Sequence, residues 1–198
     1  MRKPVWSNAW LWFLIALGAL SGPTPAAAQS FNEFPIPTGS QPIGIALGLD
    51  GNLWSTESTA NKIARITPTG AVTEFPLPLN GQGQSSQPRA IVRGPDGALW
   101  FTMSSSRRIG RITTAGALTF FITPTAASGP EGIAVGPDGN IWFTEISVNQ
   151  IGRLTPSTGA IAEFVVTTAD SRPARITAGS DGNMWFTESQ TSPPADKI

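Results

Sequence analysis

The sequence predicts an all-β fold, a β-propeller of four-stranded antiparallel blades. Three observations carry that prediction. A segment built on Gly-x-Asp-Gly-x-x-Trp occurs four times, with its tryptophans at Trp54, Trp100, Trp142 and Trp185. These tryptophans stand 46, 42 and 43 residues apart, a period that belongs to propeller blades and related arrays. Between them, short runs alternate apolar and polar residues with a period of two, the mark of half-buried strands, and no helical pattern follows residue 28.

The elements follow in chain order. Arg2 and Lys3 precede an apolar run from Trp10 to Leu20, then Gly22-Pro23-Thr24-Pro25 and Ala26-Ala27-Ala28. A basic start, a short apolar core and an Ala-x-Ala exit predict a signal-peptide helix over residues 1–28. The run is shorter than the roughly 20 apolar residues that an ordinary membrane span needs. Cleavage after Ala28 leaves a domain over residues 29–198 with no stable membrane insertion, secreted or periplasmic. It also removes Arg2 and Lys3, so that 13 basic and 13 acidic side chains become 11 and 13, a charge of −2.

Each repeat then reads as four short strands. The first is of the type Ile45–Gly48 or Gly132–Gly136. A Pro-Asp-Gly turn follows, in which Pro sets φ and Gly accepts a positive φ. The second strand is of the type Asn140–Glu145. The third is Gln150–Thr155, echoed by Lys62–Thr67 and Arg108–Thr113. A turn containing Gly70, Gly116 or Gly159 leads to an outer strand such as Val72–Phe75 or Ile161–Phe164. Pro35, Pro76 and Pro124 follow the outer strands and set turns. The segment Asn80–Ser86 reads as a longer flexible loop and accounts for the spacing of 46. One such blade has two apolar faces and hides them against its neighbours. The repeated Trp is therefore read as inter-blade core with one N–H to satisfy. Arg65, Arg111 and Arg153, among apolar neighbours, read as structural pairings or a solvated strand face.

Composition narrows the chemistry. The chain has no Cys and no His, so it offers no thiol nucleophile, disulfide, imidazole base or His-ligated metal. A formal charge of zero argues against nucleic acid as a partner. There is no phosphate-cradling Gly-rich loop and no Gly-x-Ser-x-Gly elbow.

At Gly136-Pro137-Asp138-Gly139-Asn140-Ile141-Trp142-Phe143-Thr144-Glu145 and Gln150-Ile151-Gly152-Arg153-Leu154-Thr155 the chain resembles the virginiamycin B lyases (streptogramin lyases). The likeness extends over nearly all of residues 31–198. It implies a seven-bladed propeller that opens type B streptogramins, cyclic depsipeptides, by elimination at the ester link, with magnesium and a histidine base. Against that pattern the chain reads as an incomplete propeller of about four blades. Phe31-Asn32-Glu33-Phe34-Pro35 looks like an outer strand without its blade, and open blade faces would favour self-association. The resemblance places the base just after Pro at the start of a first strand. The residues there are Ile43, Arg89, Glu131 and Ala174, none of them an imidazole.

First and second strands form a hairpin, so the start of one lies beside the end of the other. Glu131 is therefore expected near Glu145 at one mouth of the disk, as candidate ligands of a hard cation such as magnesium or as a carboxylate pair with one raised pKa. Strand-end capping in solvent is the competing reading for Glu131 and Glu145, and the preferred one for Glu57 and Glu188. Arg89 is the candidate substrate contact. Three functions fit: a lyase-like propeller, inactive in this form, with a small-molecule or peptide ligand at its mouth; a non-catalytic binding propeller; and a metal-dependent sugar lactonase.

Overall fold

Each repeat folds into the antiparallel sheet its pattern requires, in a computed structural model that describes residues 33–37 and 39–189. Blade 1 is β1 (Pro42–Leu47), β2 (Leu53–Glu57), β3 (Lys62–Ile66) and β4 (Val72–Pro76). Blade 2 is β5 (Pro88–Arg93), β6 (Leu99–Met103), β7 (Arg108–Ile112) and β8 (Leu118–Ile122). Blade 3 is β9 (Pro130–Val135), β10 (Ile141–Glu145), β11 (Gln150–Leu154) and β12 (Ile161–Val165). The described part of blade 4 is the hairpin of β13 (Pro173–Ala178) and β14 (Met184–Glu188). Strand order in every sheet is chain order. Apart from one short 3-10 turn, Ser104–Ser106, the described residues are strands and turns. The expected signal segment lies outside them.

The turns behave as predicted, and one glycine has a further reason. Gly97 and Gly139 take φ of 77° and 72° at the tips of the β5–β6 and β9–β10 turns, which L side chains rarely adopt. Gly94 opens the same turn with an ordinary φ, but a Cβ there would run into the Trp100 indole and the Asp96 carboxylate. Asp96 Oδ1 takes the indole N–H at 2.9 Å, and the same Asp-to-Trp bond joins Asp50 to Trp54, Asp138 to Trp142 and Asp181 to Trp185. The Asp of the turn thus satisfies the indole N–H four residues on. Burial alone would raise the Asp96 pKa; hydrogen bonds from Trp100 and Arg111 outweigh it and hold the group below the usual carboxylate range.

Stacking of blades makes the core. Trp54, Ile63 and Leu77 of blade 1 and its exit loop pack against Ile91, Leu99, Phe101 and Ile112 of blade 2. Trp100 and Ile109 of blade 2 pack in the same way against Ile133, Ile141, Phe143 and Leu154 of blade 3. On its outer side each Trp stacks on the Phe of its own fourth strand: Trp54 on Phe75, Trp100 on Phe121, Trp142 on Phe164, at 5.4–5.8 Å between centroids. Arg65, Arg111 and Arg153 lie over those indoles at 5.6–5.8 Å, so these arginines are structural, as expected. The four tryptophans are not equivalent, however. Trp54 and Trp100 are fully buried, Trp142 is half-buried, and Trp185 is 45% exposed.

Four sequence-level expectations change in detail. First strands begin at the Pro, two or three residues ahead of the expected runs, and a bulge interrupts the register after Pro42, Pro88, Pro130 and Pro173. Pro76 ends β4 instead of following it, opposite Lys62. The loop at Asn80–Ser86 closes on itself: Asn80 Oδ1 accepts the N–H groups of Gln82 and Gln84, each at 2.9 Å, and Ser86 is buried. Residues 33–37 carry no strand, yet Phe34 lies against Gly70. Phe75 and Phe121 lie likewise against Gly116 and Gly159 of the next blade. Phe34 therefore takes the place of an outer-strand Phe without the strand.

Candidate functional site

Four equivalent residues lie at the start of the innermost strands, and three of them are held from three sides. The residue before each Pro is left-handed: Gln41, Gln87, Gly129 and Arg172 have φ of 50°, 51°, 62° and 49°. For the non-glycines this is an uncommon conformation, and such conformations gather at functional sites. Pro then sets the entry into the strand. The bulge that follows is locked by the Thr of the second strand. Thr56 Oγ1 accepts the Gly44 N–H at 2.8 Å and donates to the Arg89 carbonyl of the next blade at 2.5 Å. Thr102 repeats the relay, accepting from Ala90 at 3.1 Å and donating to the Glu131 carbonyl at 2.8 Å. Thr144 does so from Gly132 at 2.8 Å to the Ala174 carbonyl at 3.0 Å. Each hydroxyl thus joins its own inner strand to the next, at the very residue that follows Pro. Sequence reasoning missed this role, although Thr recurs at position 56, 102, 144 and 187 in every repeat.

The lock sets Arg89, Glu131 and Ala174 side by side at one mouth, with Ile43 at the matching place in blade 1. Arg89 and Glu131 form an ion pair across blades 2 and 3, Nε to Oε2 at 3.7 Å, with 34% and 18% of their side chains exposed. The separation is too long for a hydrogen bond, and Arg89 Nε has no hydrogen-bond partner. Ile43 is exposed at one side of the pair, and the small Ala174 follows on the other.

Glu145 does not join this row. Pro130 stands opposite it across the hairpin, and Glu131 pairs with Arg89. Glu145 is fully buried, as are Glu57 and, nearly, Glu188, so these carboxyls are not solvent caps. Burial, with the nearby Glu163 carboxylate adding to it, pushes Glu145 up to about 7. Burial and Glu74 raise Glu57 in the same direction. The carboxylate neighbour expected for Glu145 is thus found in Glu163 of the outer strand. The described residues do not fit a magnesium ion at the mouth: no group of three or more Asp, Glu, His or Cys converges there or elsewhere among them. Glu131, in the mouth row of the described residues, already faces a guanidinium.

A pH dependence follows. The folded pKa of Glu145 lies above the ordinary value of 4.5, so the folded state holds its proton more tightly than the unfolded chain. That contribution is fully present below about pH 4.5 and is lost as pH rises through 7, by roughly 3 kcal/mol. Urea unfolding in chelator-treated buffer at pH 5 and pH 8 should show the decline, and Glu145→Gln should flatten it.

Comparison with known proteins bears on this geometry. Residues 9–193 match the model of the virginiamycin B lyase family. Virginiamycin B lyase from Staphylococcus aureus is similar at 46% identity and a TM-score of 0.75, over 79% of this chain and 52% of that one. A streptogramin B lyase is similar at 42% identity and a TM-score of 0.76, over 80% of this chain and 52% of its own. A catalytically inactive His-to-Ala variant of the Staphylococcus aureus enzyme, solved with quinupristin, is 48% identical with a TM-score of 0.71, over 75% and 49%. The chain spans about half the length of these solved lyases. By these matches the chain belongs to the virginiamycin B lyase family.

Proposed function

We propose that the mouth formed by Ile43, Arg89, Glu131 and Ala174 holds a cyclic depsipeptide or peptide of the streptogramin type without opening it. The single observation that carries this is the loose Arg89–Glu131 pair, a donor and an acceptor presented side by side on locked strands. A depsipeptide ring alternates carbonyls with N–H groups. Arg89 would donate to a ring carbonyl and Glu131 would accept from a ring N–H, while Ile43 offers apolar contact. Ring opening by elimination needs a base at the proton beside the ester, a task that commonly falls to His. In Arg172-Pro173-Ala174 the resemblance puts that base at the third residue, where this chain has a methyl group. The inactive His-to-Ala relative was nevertheless solved with quinupristin, which supports holding without turnover.

Magnesium has no step in this reading, because the described mouth lacks an oxygen set for it. Export is part of the reading, supported by the basic, apolar and Ala-x-Ala order of residues 1–28. Self-association is also part of it, supported by exposed Ile45, Leu47 and Leu49 on blade 1 and by Trp185 on blade 4.

Titration of the chain with quinupristin, followed by tryptophan fluorescence and by mass spectrometry, tests the reading. Saturable binding with no mass or connectivity change is expected. Arg89→Ala should weaken binding by about tenfold or more, the worth of a hydrogen bond from a charged donor. Ring-opened product from the unmodified chain, or affinity indifferent to Arg89, would overturn it.

A further inference from the structure

Blade 3 keeps a pair of acids of which blade 1 pairs one with an ammonium, Glu57 there having no partner, and which blade 2 does without. In register, Glu145 stands opposite Gln150 and Glu163 stands opposite Gly152. Residues two apart in a strand share a face, so Glu145, Gln150 and Glu163 project from one face of the sheet. Their counterparts in blade 1 are Glu57, Lys62 and Glu74. There the Lys62 ammonium bonds Glu74 at 2.5 Å. In blade 2 the two acids become the buried Met103 and the apolar Phe120. Blade 3 alone of the three has both acids and an amide where the ammonium would be.

The result is a set of acceptors with few donors, the Gln150 NH2 and the nearby Ser128 hydroxyl among them. Both oxygens of the fully buried Glu145, and Gln150 Oε1, have no hydrogen-bond partner. Glu163 accepts from the Thr125 N–H at 3.0 Å and from its hydroxyl at 2.6 Å, which leaves further lone pairs on both oxygens. Among the described residues no Lys or Arg pairs with Glu145 or Glu163. Buried acceptors left unmatched are costly, and once both groups are ionised the pair carries two negative charges.

We propose that this seat in blade 3 takes a calcium-class divalent cation, in the place that the Lys62 ammonium fills in blade 1. Glu145, Glu163 and the Gln150 amide oxygen are its protein ligands. The donor set is all oxygen and irregular, which suits calcium, with its flexible shell of about six to eight oxygens, better than the strict octahedron of magnesium. Gln150 and Glu163 are half-buried, so water completes the shell from the rim. Because Glu163 also holds Thr125, in the connection from β8 to β9, the cation ties blade 3 to the segment entering from blade 2. The seat is separate from the Arg89–Glu131 mouth and does not depend on what that mouth binds.

Thermal unfolding of the full chain at pH 8, with chelator and then with calcium chloride at constant ionic strength, tests this. Calcium should raise Tm by about 5 °C, as binding to the folded state alone does at saturating ligand. Gln150→Lys should melt higher without calcium and gain nothing from it, since the ammonium fills the seat. Terbium luminescence sensitised by the neighbouring tryptophans gives a direct readout. It should appear in the unmodified chain and in Glu131→Gln, and vanish in Gln150→Lys and Glu145→Gln. A calcium effect that survives Gln150→Lys would overturn the assignment. So would a Tm that ignores calcium and only falls with pH, which would mean that the pair holds a proton instead.

Discussion

Replacing Trp100 with Ala is expected to remove about 3–5 kcal/mol of stability, while Trp185→Ala costs under about 1 kcal/mol. The two residues occupy the same place in their repeats. Trp100 is fully buried between blades 2 and 3, stacked on Phe121 at 5.4 Å, covered by Arg111 and bonded to Asp96. Its loss leaves a cavity that a rigid sheet on either side cannot close, and it leaves the Asp96 carboxylate without one of its donors. Trp185 keeps its bond to Asp181 but is 45% exposed, so truncation there returns little surface to water. In a quasi-one-dimensional array the damage from Trp100 falls on the interface between neighbouring units. Hydrogen exchange should therefore show blades 2 and 3 losing protection first. Urea unfolding of both variants is the check, and equal losses would show that position in the repeat, rather than burial between blades, sets the contribution.

That contrast also shows what a sequence of repeats can and cannot say. The four Trp segments announce the blade, the turn and the inner hairpin, because those depend on residues within about fifteen positions of one another. Burial depends on the neighbour, so identical motifs predicted one environment for Trp54, Trp100, Trp142 and Trp185, and the structure has several. The same distinction explains the site. Pro followed by Ile43, Arg89, Glu131 or Ala174 was legible as a row of mouth residues. The Thr hydroxyls that lock the row were not, because each donates to a carbonyl about thirty residues away in another blade. Glu145 was drawn toward Glu131 by their closeness across the hairpin. The bulge at the start of β9 undoes that inference: it breaks the register between Pro130 and Ile133 and leaves Glu131 to Arg89. Recognising Glu163 as its neighbour required the pairing of β11 with β12, which spacing alone does not supply.

A second large effect is legible inside the chain itself, once cross-strand partners are compared between blades. Phe101 stands opposite Gly110, and Phe143 opposite Gly152. In blade 1 the same pair is Ser55 with Ala64. A Cβ on Gly110 or Gly152 would run into the facing Phe ring, and both rings are fully buried. Glycine is needed there for space, not for backbone freedom. Gly152→Ala alone is expected to cost about 1–3 kcal/mol by overpacking. Phe143→Ser alone should cost about 3–5 kcal/mol, through lost burial and a cavity in the core shared with Trp100. Together they recreate the blade 1 pairing, with the new methyl group occupying part of the space the ring vacated. The double variant should therefore be more stable than the sum of the two losses predicts, by about 1–2 kcal/mol, the coupling expected of residues in contact. Strict additivity in a urea double-mutant cycle would mean that the Ser–Ala pair of blade 1 arose independently of packing. Coupling of the expected sign would show that each blade adjusts its inner face as a two-residue unit, which is how near-identical repeats can differ at the core while keeping one register.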